Sequence, residues 1–242
     1  MHDSTQYPRG FELVVGGEGT TLPQIPQHLA AESLPGVPVL AETLLRMELE
    51  LHESGTDLRG FSDAVLGDVG ATIQVLRLAG EEYGAATDRP VRIEDCISDL
   101  GPRACMQAVT RGSLLRNNRQ LASPVVWSHS REVAQYFRLF ASQTPEKTVP
   151  DQAYVAGLLH ALGAIPAILG WPGLNLAGAP ASVAVDLAEQ WHFPHYLRDF
   201  FIEVLMPGHS PRWANFITVA HRPAKESWVD CPIVAARRYA YS

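Results

Sequence analysis

The sequence predicts an all-α fold, and three observations support this prediction. From about residue 38 onwards, apolar residues recur three or four positions apart, the spacing that lines one face of a helix. Glycines and prolines interrupt this pattern at short intervals, so it predicts about nine or ten helices of ordinary length. Strand-like alternation is sparse, and the only short candidate is residues 11–15.

The first three helices are predicted between residues 40 and 84. The stretch 40–52 has leucine and methionine at helical spacing, and Thr56 is expected to cap the helix that follows. A third helix contains Ile73 and Leu76 and is expected to end at Gly80 or Gly84, because glycine is the commonest residue just beyond a helix end.

The next helices are predicted from breaks in the pattern. Residues 92–109 are predicted to form two short helices divided at Gly101-Pro102, since glycine favours a helix end and proline a helix start. A longer helix covers 124–143, and another begins at Pro150-Asp151, read as an N-cap signal, and stops at Gly163. Two more helices meet at Pro194, and the last covers 211–221.

Length and composition fit one globular domain. The chain has 242 residues, of which 46% are hydrophobic and 19% charged, enough to bury one core. Residues 1–37 are rich in Gly, Pro, Thr and Gln and are expected to form an irregular N-terminal arm. The helical domain is assigned to 38–223 and a C-terminal tail to 224–242.

Charge and cysteine content exclude several classes of protein. The net charge of −7 argues against nucleic-acid binding, since clustered cations supply most of the affinity for a phosphate backbone. Cys96, Cys105 and Cys231 are odd in number and form no Cys-x-x-Cys pair, which disfavours disulfides and structural zinc. No secretory signal is recognised, and no apolar run approaches the roughly 20 residues of a membrane span. We therefore expect a cytoplasmic protein that does not associate with a membrane.

His160 and His129 are the candidate site residues. Ala156, Gly157 and Gly163 lie one turn from His160, and such small residues predict a tight helix–helix seam around it. A buried imidazole without a hydrogen-bond partner costs about 1–3 kcal/mol, so each ring is expected to have one. His129 points inward on its own helix and is the expected neighbour. Two interpretations stay open: both rings are core groups bonded to backbone or water, or they line a ligand or metal pocket.

Five stretches of the chain, in order, resemble the HDOD domain, a bacterial signalling relative of the HD phosphohydrolases. Together they fall within about residues 34 to 223, and the resemblance implies an all-helical fold with an HD-like arrangement. The stretches are AVLGDVGATIQVLRLAGEEYG (64–84), RPVRIEDCISDLGPRACMQAV (89–109), VWSHSREVAQYFRLFA (126–141), DQAYVAGLLHALG (151–163) and LAEQWHFPHYLRDFF (187–201).

The resemblance also implies where a metal site would lie. In catalytic HD enzymes, two histidines, the aspartate of a His-Asp pair and a distant aspartate hold one or two divalent metals. His129 matches the first histidine and His160 the histidine of the pair, while Ala161 stands where the aspartate would be. A methyl group supplies neither charge nor an oxygen ligand, and two neutral imidazoles hold a hard cation weakly. We therefore expect a vestigial site with no metal, no other cofactor and no catalytic residue.

Acidic residues elsewhere are not expected to replace the missing carboxylate. They match no ligand motif of the family and are interpreted as a solvated acidic edge on later helices. These residues are Asp186, Glu189, Asp199 and Glu203.

The favoured function is a non-catalytic bacterial signalling or regulatory domain that binds a partner protein or a small ligand. Trp127, Trp191 and Trp213 are the candidate anchors for a partner, as large aromatic side chains dominate many interfaces. The alternative is a residual metal-dependent phosphohydrolase acting on a nucleotide or phosphoester, with His129, His160 and acids from other helices. A third possibility is a ligand-sensing pocket between the two histidine helices. The sequence does not predict the oligomeric state.

Overall fold

The computed structural model describes residues 36–52, 58–84, 90–113, 123–143, 149–171 and 180–205. Within these ranges the chain forms helices and no strand, which confirms the all-α prediction. The helices are α1 Ala41–His52, α2 Leu58–Leu66, α3 Val69–Tyr83, α4 Ile93–Leu100, α5 Pro102–Ser113, α6 Ser123–Gln143, α7 Pro150–Leu158, α8 Ile165–Leu169, α9 Pro180–Gln190 and α10 His195–Leu205, with a 3-10 turn at Leu162–Ala164. The predicted strand at 11–15, the Thr56 cap and the predicted helix at 211–221 lie outside the described residues.

Helix ends follow the predicted glycines and prolines. α3 ends before Gly84, whose φ is 57°, and α4 ends before Gly101, whose φ is 84°. A positive φ strains a residue that has a Cβ, so glycine is the natural choice at both positions. Pro102 then begins α5, where its missing N–H costs nothing because the first N–H groups of a helix have no intrahelical partner.

The helices pack mainly with their neighbours in sequence. α1 to α5 contact one another, and α6 to α10 contact one another, with the most extensive pairing between α6 and α7. One continuous apolar core nevertheless runs through both groups. Its largest fully buried side chains are Trp127, Phe61, Phe137, Phe200, Phe201 and Met47.

A short segment before α1, which we call the strap (residues 36–40), crosses the start of α3. Asp68 caps α3 by accepting a hydrogen bond from the Ala71 N–H at 3.1 Å. The other oxygen of the same carboxylate accepts from the Leu40 N–H at 2.8 Å and from the Thr43 hydroxyl at 3.0 Å. One buried acid therefore caps a helix and fastens the strap to it.

Two predictions about α7 were wrong. The helix ends at Leu158, so His160 lies in the turn between α7 and the 3-10 turn, although every residue from Leu159 to Ile165 except His160 is buried. Val149 occupies the N-cap position without a side-chain hydrogen bond, and Pro150 begins the helix. Asp151 instead pairs with Arg92 and Arg138, so its carboxylate serves a tertiary contact.

One stretch is longer and more apolar than the sequence analysis allowed. Residues Pro150–Leu169 meet the length and hydropathy of a membrane span, and 78% of the qualifying window is buried inside the fold. Such burial is typical of a core segment that is shielded from solvent by its own protein.

Candidate functional site

The two candidate histidines lie side by side in the folded chain. His129 is on α6 and is 2% exposed, while His160 is half-buried in the turn after α7. Their ring centroids are 5.2 Å apart, and the ring planes meet at 65° in an edge-to-face arrangement. The structure thus brings together the two residues that the sequence analysis singled out.

The tautomer of His160 follows from its hydrogen bond. The Nδ1 atom lies 2.7 Å from the carbonyl oxygen of Gly157, and a carbonyl oxygen only accepts. Nδ1 therefore carries the hydrogen, and the lone pair of the neutral ring is on Nε2. A backbone partner of this kind fits the core interpretation, and it is also the bond that orients metal-ligating histidines in many proteins.

The seam beneath the histidines is built on Gly157. A Cβ added there would lie 2.8 Å from the Cα of Ala134 and 2.9 Å from the Cγ of Phe137. The missing side chain lets α7 approach the backbone of α6 closely, as the run of small residues predicted. This contact fixes the end of α7, and therefore the start of the turn that carries His160.

Ala161 is buried beside His160. Its side chain is 5% exposed, and its carbonyl accepts a hydrogen bond from the Ala164 N–H at 2.9 Å. Within the described ranges, no three His, Cys, Asp or Glu side chains gather where they could share a metal ion. Of the later acids, Glu189 and Asp199 are exposed, as expected of an acidic edge, and Glu189 pairs with Arg198 at 2.8 Å. Asp186 and Glu203 are half-buried, so they are less solvated than predicted.

Two buried polar atoms on α6, on residues that lie within two positions of His129 in the sequence, were missed by the sequence analysis. The Oγ of Ser130 and the Nε1 of Trp127 are buried without a hydrogen-bond partner in the structure. Both residues are fully buried. Buried donors of this kind usually have a partner, so each marks a position where water or a ligand group would be stabilised. Their place beside His129 in the motif WSHS was the available signal.

Two of the three candidate partner tryptophans, Trp127 and Trp191, are buried among the described residues. Trp127 is 0% and Trp191 is 3% exposed, so both rings belong to the core. Trp191 packs against Trp171 at 6.2 Å and beneath the guanidinium of Arg77 at 4.9 Å. The large apolar ring made these residues candidate anchors for a partner, but the same property suits the core, and the core is where the two rings lie. Trp213 lies outside the described residues.

The opposite end of the α6–α7 pair carries ionic contacts. Asp151 accepts from Arg138 on α6 and from Arg92 just before α4, each at 3.1 Å. His129 and Arg138 are nine residues apart on α6, and Asp151 and His160 are nine residues apart along the partner segment. The pair is therefore antiparallel, with imidazoles at one end and ions at the other, about 13 Å away at 1.5 Å per helical residue.

The HDOD domain family model matches residues 37–172, which include α1 to α8, His129, His160 and Ala161. The chain belongs to the HDOD family. No curated protein matches this HDOD chain.

Solved structures resemble this HDOD chain in fold. The MmoQ response regulator from Methylococcus capsulatus str. Bath has a TM-score of 0.66 at 19% identity, covering 84% of this chain and 92% of its own. A virulence factor from Campylobacter jejuni subsp. jejuni has a TM-score of 0.59 at 16% identity, covering 80% of this chain and 78% of its own. At these identities the likeness concerns the fold.

The described residues around His129 and His160 do not by themselves fit a catalytic divalent metal of the HD type. The imidazoles of His129 and His160 lie together, but Ala161, where the aspartate would be, offers a buried methyl group. Among the residues described, no third ligand joins the two imidazoles. A metal that activates water needs charge-bearing ligands in a defined geometry. We therefore derive no catalytic step through a metal at this position.

Proposed function

We propose that this HDOD protein is a non-catalytic regulatory or signalling domain that acts by binding. The observation that carries the proposal is the buried methyl group of Ala161 next to His160, where a hydrolase of the HD type needs a carboxylate. Without that carboxylate the scaffold positions two imidazoles but supplies no anionic ligand. Recognition of a partner or a small polar molecule is the role left to the scaffold.

Two further facts support a binding role. The MmoQ protein, whose fold is similar over most of both chains, is a response regulator, which is a signalling protein. Ser130 and Trp127 present buried donors within two residues of His129 along α6, and such donors are stabilised when a polar group of a ligand or a water accepts from them. We propose that the small-molecule partner, where one is used, binds against this part of α6.

The decisive experiment compares metal content and hydrolysis in the full chain with those of a His129→Ala, His160→Ala double variant. We expect neither protein to hold stoichiometric manganese or iron, and we expect equal background rates on a model phosphodiester. A wild-type metal that is lost in the double variant, together with turnover that is lost with it, would overturn the proposal in favour of a residual phosphohydrolase.

A thermal-shift screen addresses the binding role directly. A ligand that binds the folded state raises its melting temperature by mass action. We expect a shift with at least one probe from a panel of nucleotides and cyclic dinucleotides, and loss of that shift in Ser130→Ala. Ser130→Ala is the matched variant because it removes the unpartnered hydroxyl with little change in volume. No shift with any probe would limit the role to protein partners.

A further inference from the structure

Two glycines of α3 lie directly against carbonyl groups from distant parts of the chain. A Cβ added to Gly70 would overlap the carbonyl of Pro38 in the strap, and a Cβ added to Gly80 would overlap the carbonyl of Trp191 in the turn between α9 and α10. At both points the helix meets a peptide group with no side chain between them. Such a contact cannot absorb a displacement by changing a rotamer.

The strap is held firmly at the first of these points. Val37 is fully buried, and the Nε2 of Gln74 on α3 donates to its carbonyl at 3.5 Å. Asp68 adds the two hydrogen bonds from Leu40 and Thr43 described above. Movement of the strap therefore acts on α3 through both its backbone and its N-terminal cap.

The turn between α9 and α10 is held equally firmly at the second point. Trp191 lies under Arg77 of α3 at 4.9 Å and against Phe193 at 5.5 Å. The Phe193 N–H donates to the Ala188 carbonyl at 2.8 Å, which ties the turn to the end of α9. A shift at Gly80 would therefore move the turn as one packed unit together with α9.

The helix between these two points is stiff enough to transmit a shift. Every residue of α3 from Val69 to Leu76 is buried, as are Ala79 and Gly80. Gly70 and Gly80 are ten residues apart, which corresponds to about 15 Å of continuous helix. No proline interrupts this stretch to provide a kink.

We propose that α3 acts as a rigid helix that couples the position of the strap to that of the turn between α9 and α10. Displacement of the strap, by a partner or by chain attached before Gly36, is passed along α3 and changes the position of Trp191 and α9. An input on the N-terminal side thereby reaches the C-terminal helices. This goes beyond the proposed function, because it assigns a route for the signal and does not depend on what the histidines bind.

A double-mutant cycle of Gly70→Ala and Gly80→Ala tests the coupling. Independent substitutions this far apart change the unfolding equilibrium constant by factors that multiply to within about twofold. We expect the double variant to depart from that product by threefold or more, since the first displacement already shifts the second contact. The control cycle pairs Gly60→Ala with Gly80→Ala, because the three atoms nearest to a Cβ at Gly60 all belong to the flexible end of Glu50.

Hydrogen exchange locates the effect within the full chain. We expect Gly70→Ala to increase exchange at residues 187–193, which cover the end of α9 and the following turn, as well as in the strap. We expect Gly80→Ala to increase exchange in the strap as well as at residues 187–193. The proposal is overturned if, in both cycles, the effects of the two substitutions on the unfolding equilibrium constant simply multiply, and if each variant changes hydrogen exchange only at its own end of α3. Where an alanine variant does not fold, the milder pair Thr43→Val and Arg77→Met decides by the same two criteria.

Discussion

The Nδ1 atom of His160 lies 2.7 Å from the carbonyl oxygen of Gly157, the residue whose missing side chain lets α7 reach the backbone of α6. The hydrogen bond and the close approach therefore involve the same residue. Any change that moves Gly157 away from α6 also moves the imidazole of His160 relative to that of His129. The position of the histidine pair depends on backbone packing more than on the side chains around the rings.

Gly157→Ala is expected to destabilise the protein by about 1–3 kcal/mol, the usual cost of overpacking a tight interior. The new methyl group would meet the Cα of Ala134, which cannot move without shifting α6. The matched control is Gly60→Ala in α2, where only the Glu50 carboxylate must move and alanine favours the helix by up to about 1 kcal/mol. Urea unfolding of the two variants checks this, and equal stabilities would show that the seam is loose.

Ala161→Asp is expected to lower the free energy of unfolding in chelator, since it buries a carboxylate without a cation. Added Mn²⁺ should restore stability, by about 2.7 kcal/mol at a hundred times the dissociation constant, because two imidazoles and the new carboxylate then form a ligand set. Ala161→Asn has the same shape without the charge and should not respond. Melting temperatures measured with and without Mn²⁺ test this, and identical responses of the two variants would refute it.

Asp68 is expected to make stability depend on pH in a particular direction. Burial raises the pKa of this carboxyl above its usual value of about 4, although hydrogen bonds from Leu40, Ala71, Thr43 and Gly70 oppose the rise. The folded state thus binds the proton more tightly than the unfolded chain. The contribution of Asp68 to the free energy of unfolding is therefore largest below pH 4, and it is lost as the pH rises through the folded-state pKa of this carboxyl.

The matched variant for Asp68 is Asp68→Asn, which does not titrate. Its amide N–H₂ would face the Leu40 and Thr43 donors, which should cost about 1–3 kcal/mol in unfolding free energy. The advantage of the wild type over Asp68→Asn should shrink as the pH rises from 4 to 7 in urea titrations. If the stability advantage of the wild type instead grew over this range, the four hydrogen-bond donors would lower the pKa of Asp68 by more than burial raises it.

The thiol of Cys105 is expected to resist alkylation in the native protein. Burial, with a smaller effect of the nearby Cys96, raises the pKa of Cys105 to about 12. At pH 8 only about one thiol in ten thousand would then be ionised, and the thiolate is the nucleophile. Mass spectrometry of iodoacetamide-treated protein should find Cys105 unmodified until denaturant is added. Rapid native modification would show that α4 and α5 open readily.

Most of the helices could be predicted from the sequence because each leaves a local signal. Gly101-Pro102 marks the end of α4 and the start of α5 in the sequence itself, and the structure shows both boundaries at this pair. The end of α7 left no such signal. Apolar residues continue past Leu158 because Leu159, Ala161 and Leu162 in the following turn are buried, so spacing alone extends the helix to Gly163.

The candidate site was predictable in part for the same reason. Both histidines lie on inward-facing positions, so their proximity could be anticipated, whereas the pairing of Asp151 depends on Arg92, 59 residues earlier in the chain. An aspartate after a proline is equally typical of a helix cap, and only tertiary structure decides between the two. Tryptophan is similarly ambiguous, since its ring serves a core as well as an interface.

The placement of ions and imidazoles at opposite ends of the α6–α7 pair has a practical consequence for titrations with sodium chloride. Dissolved salt weakens the partly exposed ion pairs that Asp151 makes with Arg92 and Arg138, because ions screen charges that water can reach. Salt has a smaller effect at the imidazole end, about 13 Å away along α6, where His129 is buried. Ionic strength therefore distinguishes the two ends of the α6–α7 pair. A ligand whose affinity for the protein stays constant as salt is added is expected to bind at the histidine end.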